Sequence, residues 1–287
     1  MAYTRYLPPR ARRSWGRQKK SGFSVRWLPI LLFAGYFAYY YFSNQEVVPV
    51  TGRKQLVDMD RQEEMTLGLQ SWQQIKQSSK IIEDSQNADV IKAVGERIAK
   101  AAATEDPGFD WEFNLIDSDQ LNAFCLPGGK VAFYSGILPV AKNVDGVAAI
   151  MGHEVAHAIA RHGAERMAYQ KLMQFGTMAA SMAIGSMDVG TQRAVMGAMG
   201  VGSQYGVLLP FSRKHESEAD YIGLMYVAKA CFDPREAPKL WERMAGASGG
   251  ESPAEFSSTH PTPETRIEQF KEWMPEALEV RRQYCEK

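Results

Sequence analysis

"MGHEVAHAIARHGAE", residues 151–165, holds three of the five histidines of a 287-residue chain, with Glu154 among them. On an α-helix each residue advances by about 100°, so His153 and His157 lie about 40° apart on one face, one turn from each other. Two imidazoles so placed reach a single metal ion. Glu154, about 100° round from His153, is set too far aside to ligate and near enough to take a proton from metal-bound water. This H-E-x-x-H arrangement points to zinc, which lowers the pKa of its water to about 7, and to Glu154 as general base. Val147 to Ile150 and Val155, Ala156, Ala158, Ile159 and Ala160 make the helix apolar nearly all round, so it is expected to run buried from Asp145 to a cap at Gly163. Imidazole and carboxylate groups inside such a helix need polar partners, and a metal supplies them.

The third ligand has to come from elsewhere. His162 follows His153 by nine residues, about 180° round, and points away from the metal unless the helix breaks first. Metzincins break there at a glycine and place their histidine six residues after the second; here the glycine position is Ala160, and His162 is five residues after His157. His162 is therefore expected at a helix end, favoured by the dipole when protonated. "HESEAD", residues 215–220, offers two glutamates. Glu216 and Asp220 are four apart on one face, with Ala219 and Gly223 small enough to let their helix approach the histidine helix. Glu218 lies about 200° from Glu216, towards solvent, and His215 about 100° round, at the surface. Glu216 is thus expected as the ligand and Asp220 as the carboxylate that orients His153. Two histidines, one glutamate and a water make a catalytic set holding one Zn2+ per chain.

The rest of the chain sets the context. Residues 1–26 carry eight basic side chains and no acid, so the zero formal charge hides a body of 25 basic against 33 acidic residues, or −8. An acidic body argues against nucleic acid as its partner. "WLPILLFAGYFAYYYF", residues 27–42, is uncharged; with Phe23 to Val25 drawn in and Arg26 snorkelling it makes a short transmembrane anchor. Its closing Tyr39 to Phe42 suit an aromatic belt better than a cleavage site. The expected division is a basic cytoplasmic arm (1–26), the anchor (27–42), an extended linker (43–59) and a zinc metallopeptidase domain (60–287). By the positive-inside rule the chain sits once in a bacterial inner membrane with its catalytic domain in the periplasm. The Arg-rich, acid-free start also fits a mitochondrial presequence, which would place the same body in the intermembrane space. Cys125, Cys231 and Cys285, odd in number and widely spaced, predict neither a disulfide framework nor a cysteine metal cluster.

The pattern is α+β, mainly helical. Residues 60–79 and 87–103 read as helices, "WEFNLID" (111–117) as a strand, and "NAFCLPGGKVAFYSGIL" (122–138) as a hairpin turning at Pro127 to Gly129. Residues 172–209, dominated by Met, Ala, Gly and Ser, read as two helices split by "MDVGTQ", either covering the site or dipping into a membrane. "FSRKHESEADYIGLMYVAKA" (211–230) starts another helix, and a last one ends near Tyr284.

"HEVAH", the E-x-x-A-D of "ESEAD", the "NAFCLPGG" hairpin and "STHPTPETR" (258–266) together resemble the HtpX and CAAX-prenyl-protease family of gluzincin metallopeptidases over roughly residues 47–275. The single anchor and "TGRKQL" (51–56) are most similar to its Oma-type and periplasmic BepA-type branch. The resemblance implies a zincin (gluzincin) fold with a small mixed sheet, Glu216 as third ligand, and an endopeptidase acting on misfolded, membrane or envelope proteins. The multiple spans of the prenyl proteases are not evident, which argues against prenylated substrates. In a zincin the strand beside the metal pairs with the substrate, so Asn122, Ala123 and Phe124, or else Val131 to Tyr134, are expected to hold an extended peptide. His260, in a loop flanked by Gly, Ser and Pro, is expected to stabilise the oxyanion or to occupy the fourth zinc position. The competing reading is an envelope chaperone or assembly factor with a latent or structural zinc, to which Glu154 would be of no use. Membrane and protein or peptide substrates are the expected partners, with self-association to a homo-oligomer left open.

Overall fold

The computed structural model describes residues 25–203, 209–247 and 265–286. Its elements in chain order are α1 (Trp27–Ser43), β1 (Gln45–Val47), β2 (Lys54–Leu56), α2 (Arg61–Ser78), β3 (Ile81–Ile82), α3 (Gln86–Ala101), β4 (Glu112–Ile116), β5 (Ala123–Leu126), β6 (Lys130–Tyr134), α4 (Leu138–Ala141), α5 (Val144–Ile159), α6 (His162–Ile184), α7 (Val189–Ser203), α8 (Leu209–Lys229), α9 (Glu236–Ala247) and α10 (Thr265–Cys285). β3, β4, β6 and β5 form a sheet in that order, with β4 and β6 parallel and both outer pairs antiparallel. The fold is therefore mainly helical with a small mixed sheet. The β5–β6 turn uses Gly128 and Gly129, both at positive φ where a side chain would strain the backbone.

α5 is the axis of the core. Asn143 caps it by accepting from the Gly146 N–H at 2.8 Å, Asp145 lies in its first turn, and from Gly146 to Ile159 every residue except His157 is buried. The sheet and α3 cover one side, α8 and α9 the other. α5 and α8 cross backbone to backbone: a Cβ on Gly152 would sit 2.8 Å from the Gly223 carbonyl oxygen, and one on Gly223 2.8 Å from the His153 nitrogen. Gly223→Ala is expected to cost about 1–3 kcal/mol, because neither backbone can yield and the overpacking exceeds the gain in helix propensity of about 1 kcal/mol. Thermal unfolding measures this, and an unchanged midpoint would show that the helices have room to spare.

Three expectations change. α5 stops at Ile159, not at Gly163; Ala160 caps it, and Arg161 takes the left-handed conformation with φ of 60° before α6 begins. The buried Arg161 guanidinium binds Glu64 at 2.7 Å, Glu46 at 2.5 Å and the Met59 carbonyl at 2.6 Å. Left-handed strain costs about 1–2 kcal/mol, less than leaving a buried guanidinium unpaired, so these contacts decide where the helix breaks. The stretch read as a linker pairs instead as a β1–β2 hairpin, Gln45 opposite Leu56, and Val48 joins the main core. Cys231 and Cys285 form a disulfide, because α8 and α10 lie side by side and bring residues 54 apart in sequence to a Cα separation of 5.7 Å. Among the described residues no helix is long and apolar enough to cross a membrane. α1, of 17 residues, runs antiparallel to α6: the Arg26 N–H donates to the Ala183 carbonyl, Tyr36 meets Phe175 edge-on, and Tyr40 packs with Leu56, Ala168 and Leu172.

Candidate metal centre

The glycine crossing brings His153 and His157 of α5 against Glu216 of α8. His153 Nε2 and His157 Nε2 lie 3.1 Å apart, Glu216 Oε2 is 3.4 Å from the first, and Glu216 Oε1 is 3.6 Å from the second. A tetrahedral ion with bonds of 2.0–2.1 Å spaces its donors by about 3.3 Å, so these three side chains could hold one first-row divalent ion. Among the described residues this is the one group of His, Cys, Asp and Glu so arranged. His153 and Glu216 are buried and His157 is partly exposed, which leaves the cluster open on one side.

Around it lies a second layer. Asp220 Oδ1 is 2.9 Å from His153 Nδ1, so the sequence-expected pair is in contact. Arg266 donates to both oxygens of Asp220 at 2.5 and 2.6 Å, stands 3.4 Å from Glu216 Oε2, and sets its guanidinium carbon 3.6 Å from the centre of the Trp241 ring. Neither Arg266 nor Trp241 was anticipated. Burial alone would lower the His153 pKa, but hydrogen bonds to Asp220 and Glu216 outweigh it and raise the ring to about 9. The pocket thus favours a positive charge on its imidazoles, which a divalent ion also supplies.

Glu154, also buried, lies on the flank of α5 towards β5. Burial first, and then the Glu154 charge, hold the Cys125 thiol of that strand well above its ordinary range. β5 is one of the sheet's two edge strands, so among the described residues no strand pairs with Ala123 and Phe124 on the side away from β6, and Asn122 leads into β5. The Tyr134 N–H donates to the Asn122 carbonyl at 3.0 Å, and by alternation the backbone groups of Ala123 and Cys125 face away from β6. Val131 to Tyr134, the other candidate, belong to β6, paired on both sides and unable to accept another strand. His260 lies outside the described residues.

His162 departs most from expectation. It is buried, with Nδ1 2.9 Å from His157 Nδ1 and Nε2 2.9 Å from Glu218 Oε2. The break at Arg161 turns it back towards the cluster of His153, His157 and Glu216. Burial, then the neighbouring His215, pushes its pKa down to about 4, so it is a neutral ring rather than a protonated helix end. Glu218 and His215 are likewise buried, contrary to the surface positions expected, since the β1–β2 turn and α6 cover that side of α8. Glu218 accepts from Thr51 Oγ1 and from Arg53 Nε at 2.8 Å; Arg53 reaches Glu165 at 2.6 and 3.0 Å, and Glu165 meets His215 Nε2 at 2.8 Å. Desolvation opposes the Glu218 charge, but the hydrogen bonds from His162 and then Thr51, with the Arg53 charge beside them, hold its pKa down to about 2.

Residues 85–274 match the model of Peptidase family M48. The chain is similar to the Mitochondrial metalloendopeptidase OMA1 of Schizosaccharomyces pombe, 37% identical over 256 residues that cover 88% of this chain and 73% of that protein. It is similar to the Metalloendopeptidase OMA1, mitochondrial, of Homo sapiens at 29% identity, covering 85% of this chain and 49% of that one. It is also 29% identical to the Beta-barrel assembly-enhancing protease of Escherichia coli, over 71% of this chain and 42% of that protein.

Proposed function

The chain is a metalloendopeptidase of peptidase family M48, and we propose that it is a membrane-anchored zinc enzyme that cleaves misfolded membrane or envelope proteins. The observation that carries the reading is the convergence of His153, His157 and Glu216 beside the buried Glu154. Two imidazoles and one carboxylate with an open side suit zinc in a catalytic role. When bound, zinc supplies a water acidic enough to ionise near neutral pH and polarises the scissile carbonyl. Asp220 holds His153 in register for ligation. Glu154 takes the proton at a carboxylate oxygen and returns it to the leaving amine. A peptide laid along β5 at Asn122, Ala123 and Phe124 is held extended by backbone pairing, which favours unfolded segments of any sequence.

α1 supports the anchor. At 1.5 Å per residue its 17 residues span about 26 Å, close to the hydrocarbon thickness of about 30 Å, and Trp27, Leu28, Leu31, Leu32, Tyr39 and Phe42 are exposed along it. Because α6 lies antiparallel against it, residues 172–184 would share its depth, with Met178 and Met182 towards lipid. The basic arm before α1 keeps residues 1–26 in the cytoplasm or matrix and the catalytic body in the periplasm, or in the intermembrane space of a mitochondrion. The Cys231–Cys285 disulfide fits either oxidising compartment.

The full chain in detergent, loaded with one zinc, is expected to hydrolyse casein, to stop when a chelator removes the metal, and to resume on adding zinc. A folded chain carrying one zinc that leaves casein intact would refute the protease reading and favour the chaperone one.

A further inference from the structure

We propose that His162 is a positioning residue for the metal ligand His157, acting with Glu218 as a relay that Thr51 and Arg53 of the β1–β2 turn lock in place. The inference rests on the ligand set proposed above. His157 turns Nε2 towards His153 and Glu216, which leaves Nδ1 for an outer partner, and that partner is His162 Nδ1 at 2.9 Å. An imidazole that gives Nε2 to a metal is neutral and carries its proton on Nδ1. Two Nδ1 atoms at this distance share one proton, so His162 accepts it and must carry its own proton on Nε2. Glu218 Oε2, 2.9 Å away, receives that second N–H. The order runs one way: His157 Nδ1–H to His162 Nδ1, then His162 Nε2–H to Glu218.

A metal-bound histidine usually gives its outer N–H to a carboxylate, as His153 does to Asp220. His157 does so through an interposed ring. That ring cannot turn over without setting carbon against both partners, and its surroundings hold it still. His215 lies flat on it, with ring centres 4.1 Å apart and 9° between the planes, and is itself fixed by Glu165. Thr51 and Arg53 donate to Glu218 from the hairpin that directly follows α1, and Arg53 binds Glu165 with its other edge. The "TGRKQL" stretch therefore closes the outer layer of the metal site.

The test measures zinc affinity of the full chain in detergent by competition with a chromophoric chelator, together with the visible spectrum of the cobalt-loaded form. Wild type should bind one zinc and His157→Ala should lose it; if wild type binds none, or His157→Ala binds as well as wild type, the ligand set is wrong and the relay falls with it. His162→Phe keeps a ring against His215 but can neither accept nor donate. Expected are zinc binding weakened about 10–100-fold and a changed cobalt spectrum, with the metal-free melting curve little altered. Zinc affinity within twofold of wild type and an identical cobalt spectrum would overturn the relay. Should His162→Phe fail to fold, Glu218→Gln decides, since it keeps size and an acceptor but removes the charge: weakening of roughly threefold or more supports the relay, and unchanged affinity overturns it.

Discussion

Glu154→Gln is expected to lower kcat on casein by about 10²–10⁴-fold, with one zinc per chain retained and an unfolding midpoint no lower than the parent's. Glutamine keeps the volume of a buried side chain and can still hydrogen-bond, but it cannot hold the proton that hydrolysis moves. Glu154 ligates nothing in the proposed set, so metal content should not follow activity. Removing a charge from the interior lifts a desolvation cost, which is why no loss of stability is expected. The measurement pairs turnover with zinc analysis and a melting curve on one preparation. Activity within tenfold of wild type would remove Glu154 from the proton transfer; loss of zinc together with activity would make it a ligand or a support of one.

Arg266→Met should produce the largest change in stability, about 3–5 kcal/mol in the metal-free protein. Arg266 is 1% exposed and pairs with both Asp220 and Glu216, so its removal takes from these buried carboxylates their permanently charged partner and leaves the His153 ring to carry the pairing. At about 2–4 °C per kcal/mol for a chain of this size, the midpoint falls by roughly 6–20 °C. Lysine should not rescue it, because one ammonium cannot grip both oxygens of Asp220 and also lie over Trp241. Adding Asp220→Asn to Arg266→Met should recover part of the loss, since the penalty is an unpaired charge rather than a cavity. Zinc should shrink it too, by neutralising Glu216. A loss under about 1 kcal/mol in the metal-free protein would mean that water reaches the pair and that Arg266 is a surface contact.

The legible part of the site is the part governed by helix period. His153 with His157, and Glu216 with Asp220, are pairs four apart, and that spacing carried them to one point across a gap of 59 residues. The same angular reckoning failed for His162 because it assumed a straight helix to Gly163. The break at Arg161 is set by Glu46, Glu64 and the Met59 carbonyl, about 100 residues earlier, and no local pattern announces it. Glu218 and His215 were misplaced for a related reason: the helix was given a solvent side that the β1–β2 turn occupies. Arg266 left a signal that went unused, since a buried Asp220 beside a buried Glu216 asks for a cation beyond the metal. The disulfide left none, because it depends on α8 and α10 being neighbours.

That disulfide has a topological effect. It closes residues 231–285 into a covalent ring that contains both the chain between α9 and α10 and Arg266. A single cut anywhere inside the ring yields two polypeptides that stay joined, so the arginine remains tethered to the domain whose carboxylates it pairs. A nicked molecule would migrate as one species on a non-reducing gel and as two after reduction. Under oxidising conditions the ring makes this half of the site tolerant of the very reaction the protein performs.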